Sequence, residues 1–361
     1  MLSNRTALAI LLLAGLGCTS ADLDRGLTCR PSPGNPRVRL CVAASPSPAA
    51  TPAQPRDDLN PRLLRRFKPL RQTFHDDEPS PPALVALGRM LYLEPRLSKT
   101  GLVSCNSCHP LDRYGAVSEA RAMGVNGKRG ARNVPSTYNA AAQFSQFWDG
   151  RSPNVEAQAL VPLLDPQEMG MTEKSAVDVL DSIRGYADPF RLAFPGDERP
   201  VSLRNIGKAL GAFERTLSTP SRWDQYLQGD RAALTSQEKE GLRVFTGVGC
   251  MVCHTGELVG GSMYEKLGAA ARWPLKGDRG RADFTHDPTD DMVFKVPSLR
   301  NVARTGPYFH DGSIKTLDEA VRMMGSYQLG VELTDAEVSA LVAWLGALTG
   351  KLPELSAQVT R

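Results

Sequence analysis

Two copies of one five-residue pattern constrain this chain more than any other feature. Cys105, Cys108 and His109 lie in "VSCNSCHPLD", and Cys250, Cys253 and His254 lie in "GCMVCHTG". A structural zinc site prefers four clustered ligands, and neither copy has an obvious second knuckle nearby. A thioredoxin-type dithiol needs no histidine after the second cysteine, whereas covalent haem attachment requires the whole Cys-x-x-Cys-His pattern.

The pattern therefore predicts two covalently bound c-type haems. In each copy the two thiols add to the vinyl groups of one haem, and the histidine becomes the proximal iron ligand. We expect His109 and His254 to be these ligands.

Helix signals surround both copies. Thr235 and Glu238 form a capping box before an amphipathic run that leads into the second copy, and Thr334 and Glu337 form another near the C-terminus. Strand-like alternation is scarce and no internal repeat is evident beyond the two copies. We predict a mostly α fold of two cytochrome c-like haem domains with extensive loops, an N-terminal domain over 61–232 and a C-terminal domain over 233–361.

The N-terminus is typical of an export signal. Arg5 precedes a short apolar run from Ala7 to Leu16, which predicts a signal peptide over 1–17 and a periplasmic protein. Cys18 stands where a bacterial lipoprotein would be cleaved and lipidated, so we expect a lipid anchor there; the alternative is a plain cleaved signal with an incidental cysteine. Residues 18–60 are rich in Pro and Ala and predict a tether, within which Cys29 and Cys41 could close a small loop.

Charge adds little to the choice of partners. The formal net charge is +4, and no run of basic residues suggests a phosphate-binding face. We therefore expect no nucleic-acid partner.

A second iron ligand would decide the chemistry of each haem. Met323 and Met324 end a predicted helix in "TLDEAVRMMGSYQLG". A thioether ligand would raise the reduction potential of a haem, but a methionine pair on a helix is more often core packing. Periodicity leaves both readings open.

The chain from about Ala83 to Leu352 resembles the bacterial dihaem cytochrome c peroxidase family. The matching stretches are "LGRMLYLEPRLSKTGLVSCNSCH", "RNVPSTYNAAAQFSQFWDGR", "EAQALVPLLDPQEM", "FERTLSTP", "FKVPSLRNVARTGPYFHDGS" and "TLDEAVRMM". The resemblance implies an N-terminal peroxidatic haem, a C-terminal haem that receives electrons from a small donor protein, and a calcium ion between the two domains.

The resemblance also implies roles for individual residues. Met324, fourteen residues after His310, matches the methionine ligand of the C-terminal haem, and Trp148 matches the tryptophan between the haems. The remaining matches are the distal-pocket residues Gln158, Glu168 and Pro162, and the calcium ligands Asn133 by its side chain and Thr305 and Pro307 by their carbonyls.

One position departs from the family pattern. Many members have a histidine sixteen residues after the first haem histidine that closes the peroxidatic iron, and this chain has Val125 there. Since an aliphatic side chain cannot bind iron, we expect the first haem to be open without reductive activation. Met123 is the only nearby substitute ligand, and we do not expect it to bind.

These implications predict reduction of hydrogen peroxide to water with electrons from a small cytochrome c or cupredoxin, with Glu168 moving the proton between the two peroxide oxygens and Gln158 orienting the peroxide. Two alternatives stay open. One is peroxide-driven oxidation of a partner protein's side chain, as in the methylamine-utilisation relatives, which carry a tyrosine where Met324 stands. The other is a non-enzymatic electron carrier. Homodimers are common in the family.

Overall fold

The computed structural model describes residues 59–75, 78–274 and 277–354, together with the backbone of two strands near the N-terminus. The predicted signal peptide over 1–17 and Cys18 lie outside the described residues. The chain divides into two compact units, Met1–Arg56 and Asp57–Arg361.

The first unit contains an antiparallel strand pair, β1 (Leu27–Ser32) and β2 (Asn35–Ala43). In this ladder Cys29 is directly opposite Cys41. Backbones paired in this way lie within the range of separations that a disulfide spans. The loop closure predicted between these cysteines stays a prediction.

The second unit is mostly helical, as the sequence predicts. Its helices are α1 (Pro61–Leu64), α2 (Pro82–Tyr92), α3 (Cys105–Cys108), α4 (Val155–Leu164), α5 (Glu173–Ser182), α6 (Arg184–Ala193), α7 (Leu203–Glu214), α8 (Arg222–Leu227), α9 (Ser236–Gly247), α10 (Ala282–Thr285), α11 (Leu317–Met323) and α12 (Asp335–Ala347). A short antiparallel pair joins β3 (Tyr264–Lys266) to β4 (Val293–Lys295). The predicted capping boxes at Thr235 and Thr334 are both formed, since each hydroxyl accepts from the backbone three residues on.

Two helix pairs form equivalent crossings. A Cβ built on Gly88 of α2 would lie 1.9 Å from the carbonyl oxygen of Ala209 in α7, and one built on Gly241 of α9 would lie 1.9 Å from that of Ala340 in α12. Only glycine allows backbones to approach this closely. The same packing device is therefore used once in each half of the unit.

The loops that follow the haem-attachment sites repeat as well. "NVPSTYNAAAQFSQFWDGRS" (133–152) and "KVPSLRNVARTGPYFHDGSI" (295–314) align without a gap at an offset of 162 residues. Phe147 and Phe309, one offset apart, have φ values of 68° and 67°, and Asn139 and Asn301 have 62° and 61°. The expectation of no repeat beyond the two Cys-x-x-Cys-His copies is therefore wrong, because conserved backbone geometry carries the repeat where most side chains have diverged.

The second unit contains two large clusters of buried apolar residues. One buried cluster runs from Leu87 to Leu217 and contains Tyr92, Phe190 and Phe213. Another includes Phe67, Trp223 and Trp344. In the part of the chain that the structure describes, no helix is both long enough and apolar enough to cross a membrane.

Candidate functional site

A cavity of about 670 Å³ opens beside the first Cys-x-x-Cys-His copy. The predicted site residues that line it are Cys108, His109, Asn133, Trp148, Gln158, Pro162 and Glu168. Residues from the attachment helix, from α4 and from the 133–152 loop thus converge on one space. Cys105 is not part of this lining and packs against the cluster of buried apolar residues that includes Leu87 and Leu91.

His109 is held with one ring nitrogen free for a metal. Its Nδ1 lies 3.2 Å from the carbonyl oxygen of Gly115, and a carbonyl can only accept, so Nδ1 carries the proton. Burial lowers the pKa of His109, which favours the neutral ring. The Tyr92 hydroxyl donates to the His109 carbonyl at 2.7 Å and fixes the backbone. A neutral imidazole with Nδ1 so held presents Nε2 as a ligand.

His254 is held in the same way at the second copy. Its Nδ1 lies 3.2 Å from the carbonyl oxygen of Val259, and burial lowers the pKa of His254 to about 4. A second cavity of about 270 Å³ adjoins this histidine. The predicted site residues that line it are Asn133, Trp148, Cys250, Cys253, His254, Thr305, Pro307 and Met324.

None of the four cysteines of the two copies forms a disulfide, so all four sulfur atoms are available for haem attachment. Burial raises the pKa of Cys105 to about 12 and that of Cys108 to about 11, and it raises the pKa of Cys250 to about 12. Burial thus disfavours a charged sulfur at these three positions, which is compatible with a neutral thioether.

Glu168 reaches the first cavity from the turn that follows α4. Its backbone N–H donates to the Asp165 carbonyl at 3.1 Å, while Met169 N–H donates to the Pro162 carbonyl at 3.1 Å. Burial raises the pKa of Glu168; the nearby Asp165 raises it further and Arg151 opposes the shift. A carboxyl group whose pKa is raised binds a proton more readily and can act as a general acid or base.

Val125 packs away from the first cavity. It is 1% exposed and does not line that space, and its side chain lies against Gly170. Its backbone N–H donates to the Glu168 carbonyl at 2.8 Å. Met123 is 54% exposed and is also outside the lining. The loop that carries both residues therefore supports the Glu168 backbone and contributes no side chain from these two positions.

The two cavities share a wall built from both loop repeats. The Asn133 N–H donates to the His310 carbonyl at 2.7 Å, and the Lys295 N–H donates to the Trp148 carbonyl at 2.8 Å. These two bonds are related by the 162-residue offset, so each repeat holds the other through the same pair of positions. The Trp148 indole N–H donates to the Asn133 carbonyl at 3.0 Å.

Met324 lines the second cavity and Met323 does not. Met324 begins a π-helical turn, Met324–Leu329, directly after α11. Such turns are rare and are frequent at functional sites. The structure thus separates two methionines that the sequence leaves equivalent.

The predicted calcium ligands face a common space. Asn133, Thr305 and Pro307 all line the second cavity, and the Asn133 amide donates to the Ala120 carbonyl at 3.1 Å, which turns its oxygen toward the other side. Among the described residues, no three His, Cys, Asp or Glu side chains cluster as a metal site. The predicted set consists of an amide and two carbonyls, so the calcium site stays a prediction.

Sequence reasoning missed Glu214. This residue of α7 is 4% exposed and lines the first cavity, and burial raises its pKa to about 8. The helix crossings at Gly88 and Gly241 make Leu345 its counterpart in α12, and Leu345 lines the second cavity. This correspondence follows from the helix crossings in the structure and not from the 162-residue offset, so the loop repeat in the sequence could not have singled out this carboxyl group.

The residues present fit two covalently bound haems. Both histidines offer Nε2, a cavity adjoins each Cys-x-x-Cys-His copy, and the buried Nδ1 of His310, in the shared wall, has no hydrogen-bond partner among the residues described. A buried unpartnered nitrogen indicates a polar group that the protein itself does not supply.

Comparisons with known proteins agree with this site. A family model described as di-haem cytochrome c peroxidase matches residues 82–232. The cytochrome c551 peroxidase of Nitrosomonas europaea is 43% identical over 273 residues, which cover 75% of this chain and 81% of that protein. The cytochrome c551 peroxidase of Pseudomonas aeruginosa is 39% identical over 313 residues, which cover 85% of this chain and 90% of that protein.

A solved structure gives the same result for the fold. The crystal structure of a MauG-like protein associated with microbial copper homeostasis superposes with a TM-score of 0.69 at 29% identity, covering 79% of this chain and 93% of that one. Sequence and structure thus point to an oxidoreductase that acts on peroxide and carries two c-type haems. The chain belongs to the di-haem cytochrome c peroxidase family.

Proposed function

We propose that this protein reduces hydrogen peroxide to water in the first cavity, with electrons that arrive at the second. The observation that carries the proposal is that Glu168 and Gln158 line the same cavity as His109. A haem held by Cys105, Cys108 and His109 would supply the iron and the electrons for cleavage of the O–O bond.

Glu168 does the proton chemistry in this proposal. Its raised pKa lets it take the proton from one peroxide oxygen and deliver it to the other, which leaves as water. Gln158, one helical turn before Pro162 on α4, orients the peroxide by hydrogen bonding. The overall reaction consumes two protons and two electrons and yields two water molecules.

In this proposal neither Val125 nor Met123 would bind the iron of a haem held by His109. The side chain at position 125 is aliphatic, and Met123 lies outside the cavity lining. Turnover then needs no prior reduction to displace a ligand.

Electrons reach the first cavity through the shared wall. A second haem, which Cys250, Cys253, His254 and Met324 would hold, would accept them from a small cytochrome c or cupredoxin. Trp148 lines both cavities, which supports an electron path past its side chain. We place the protein in the periplasm, tethered through Cys18, with one calcium ion at Asn133, Thr305 and Pro307.

Two measurements on the haem-loaded protein test the proposal. In a steady-state assay with reduced cytochrome c, peroxide should be consumed in a ratio of one peroxide to two electrons. An electron paramagnetic resonance spectrum of the oxidised protein should contain one high-spin and one low-spin ferric signal. Two low-spin signals without peroxide consumption would instead indicate an electron carrier, and peroxide consumption that needs a partner protein rather than cytochrome c would indicate side-chain oxidation.

A further inference from the structure

Lys295 is a buried lysine in the wall between the two cavities. It ends β4, is 6% exposed and lines both cavities. Its Nζ donates to the side-chain oxygen of Gln143 and, at 2.8 Å, to the carbonyl oxygen of Ser145. Both acceptors belong to the first loop repeat, so this side chain crosses from one repeat to the other.

The 162-residue offset gives each of these residues a counterpart. Lys295 corresponds to Asn133, Gln143 to Thr305, and Ser145 to Pro307. The three counterparts are the residues to which we assign the calcium ion, and all three line the second cavity. The lysine and its two acceptors therefore stand at the calcium positions of the other repeat.

The chemistry of the two positions is parallel. Calcium binds to oxygen ligands and needs several of them, whereas an ammonium group is a compact cation that donates to up to three oxygens. The Ser145 carbonyl is the same backbone atom as the Pro307 carbonyl. At the other position the Gln143 side-chain oxygen takes the place of the Thr305 carbonyl.

We propose that the Lys295 ammonium group is a built-in cation at the counterpart of the calcium site, so that the protein binds one calcium ion where its repeat would otherwise provide two sites. The inference rests on the proposed calcium site at Asn133. Its consequence is an asymmetry: the loop at 143–145 is held without metal, and the loop at 305–307 is held by calcium.

The charges around Lys295 set the pH for a test. Burial lowers the pKa of Lys295 to about 7, and the Asp149 carboxylate opposes this shift. Hydrogen bonds to two oxygens also favour the charged form. The ammonium form dominates at pH 6, where the experiment belongs.

The test counts calcium ions in the haem-loaded protein by atomic emission after dialysis against buffer with a fixed free calcium concentration. The wild-type protein should hold one ion. Lys295→Asn, which reproduces the side chain of Asn133, should raise the content from one ion to two. Lys295→Met removes the charge without adding an oxygen and should leave it at one.

The reciprocal variant keeps the proposal testable if Lys295→Asn fails to fold. Asn133→Lys places an ammonium group at the calcium site and should reduce the content from one ion to none, with a thermal midpoint that a calcium chelator no longer lowers. A content of one ion in Lys295→Asn, or of two in Lys295→Met, would overturn the inference, as would one ion retained in Asn133→Lys. No calcium in the wild-type protein would instead remove the proposed calcium site itself.

Discussion

Trp148 and His310 occupy the same position in the two loop repeats, and their ring centroids lie 6.5 Å apart, edge to face, in the wall between the cavities. Each backbone carbonyl accepts from the other repeat, Trp148 from Lys295 and His310 from Asn133. The local pseudo-symmetry axis therefore passes between two residues that differ in chemistry. The two loop repeats share a backbone plan, and side-chain differences at matched positions give each cavity a different lining.

Glu168→Gln tests the proton chemistry. The amide keeps the size of the side chain but cannot accept and return a proton, so we expect a loss of about 100-fold or more in kcat for peroxide reduction, with both haems still attached. Glu173→Gln makes the same change at an exposed position at the start of α5 and should leave kcat unchanged. Near-normal turnover in Glu168→Gln would contradict the assignment of this residue.

Met324→Leu tests the assignment of the axial thioether. Leucine has a similar volume and no sulfur, so the reduction potential of the second haem should fall and its spectrum should lose the signature of thioether ligation. Met323→Leu is the matched control, since Met323 does not line the cavity, and its potential should equal that of the wild type. A redox titration followed by absorbance measures both. Equal potentials in all three proteins would show that Met324 is not a ligand.

Local patterns predicted much of this fold. The capping boxes at Thr235 and Thr334 and the mostly helical second unit are confirmed, because these signals depend on residues close in sequence. The Cys-x-x-Cys-His copies predicted two c-type haems for the same reason, and the family comparisons support both.

Contacts between distant segments could not be predicted in this way. Lys295 meets Gln143 and Ser145 across roughly 150 residues of sequence, and Glu214 enters the first cavity only because α7 crosses α2. Periodicity gives the face of a helix but not the space that this face adjoins. The choice between Met323 and Met324 depends on that space, so only the structure separates them.

Gly241→Ala tests the crossing of α9 and α12. The added Cβ would lie 1.9 Å from the Ala340 carbonyl oxygen, so the helices must separate, and we expect a loss of about 2–3 kcal/mol that lowers the thermal midpoint. Gly247→Ala lies in the same helix with no atom within 4 Å of the added Cβ, so it should be neutral or stabilise by up to about 1 kcal/mol. Equal midpoints for the two variants would refute the close approach.

Glu214→Gln tests the buried carboxyl group through the pH dependence of stability. The pKa of Glu214 in the folded protein is about 8, against an ordinary value of 4.5, because burial disfavours the charged form. Between these two values the folded protein holds a proton that the unfolded chain has lost. The stabilisation is therefore complete below pH 4.5 and is lost as the pH rises toward 8, with a slope of up to about 1.4 kcal/mol per pH unit.

The glutamine variant has no proton to lose at this position, so its thermal midpoint should fall less between pH 5 and pH 8 than that of the wild type. Differential scanning calorimetry of the haem-loaded proteins measures both curves, and Glu173→Gln, with its exposed side chain, should follow the wild-type curve. Parallel curves for wild type and Glu214→Gln would mean that the carboxyl group is already ionised in the folded protein. A shallower curve for Glu214→Gln alone would place a neutral acid beside the first haem, at the position where the second half of the chain has Leu345.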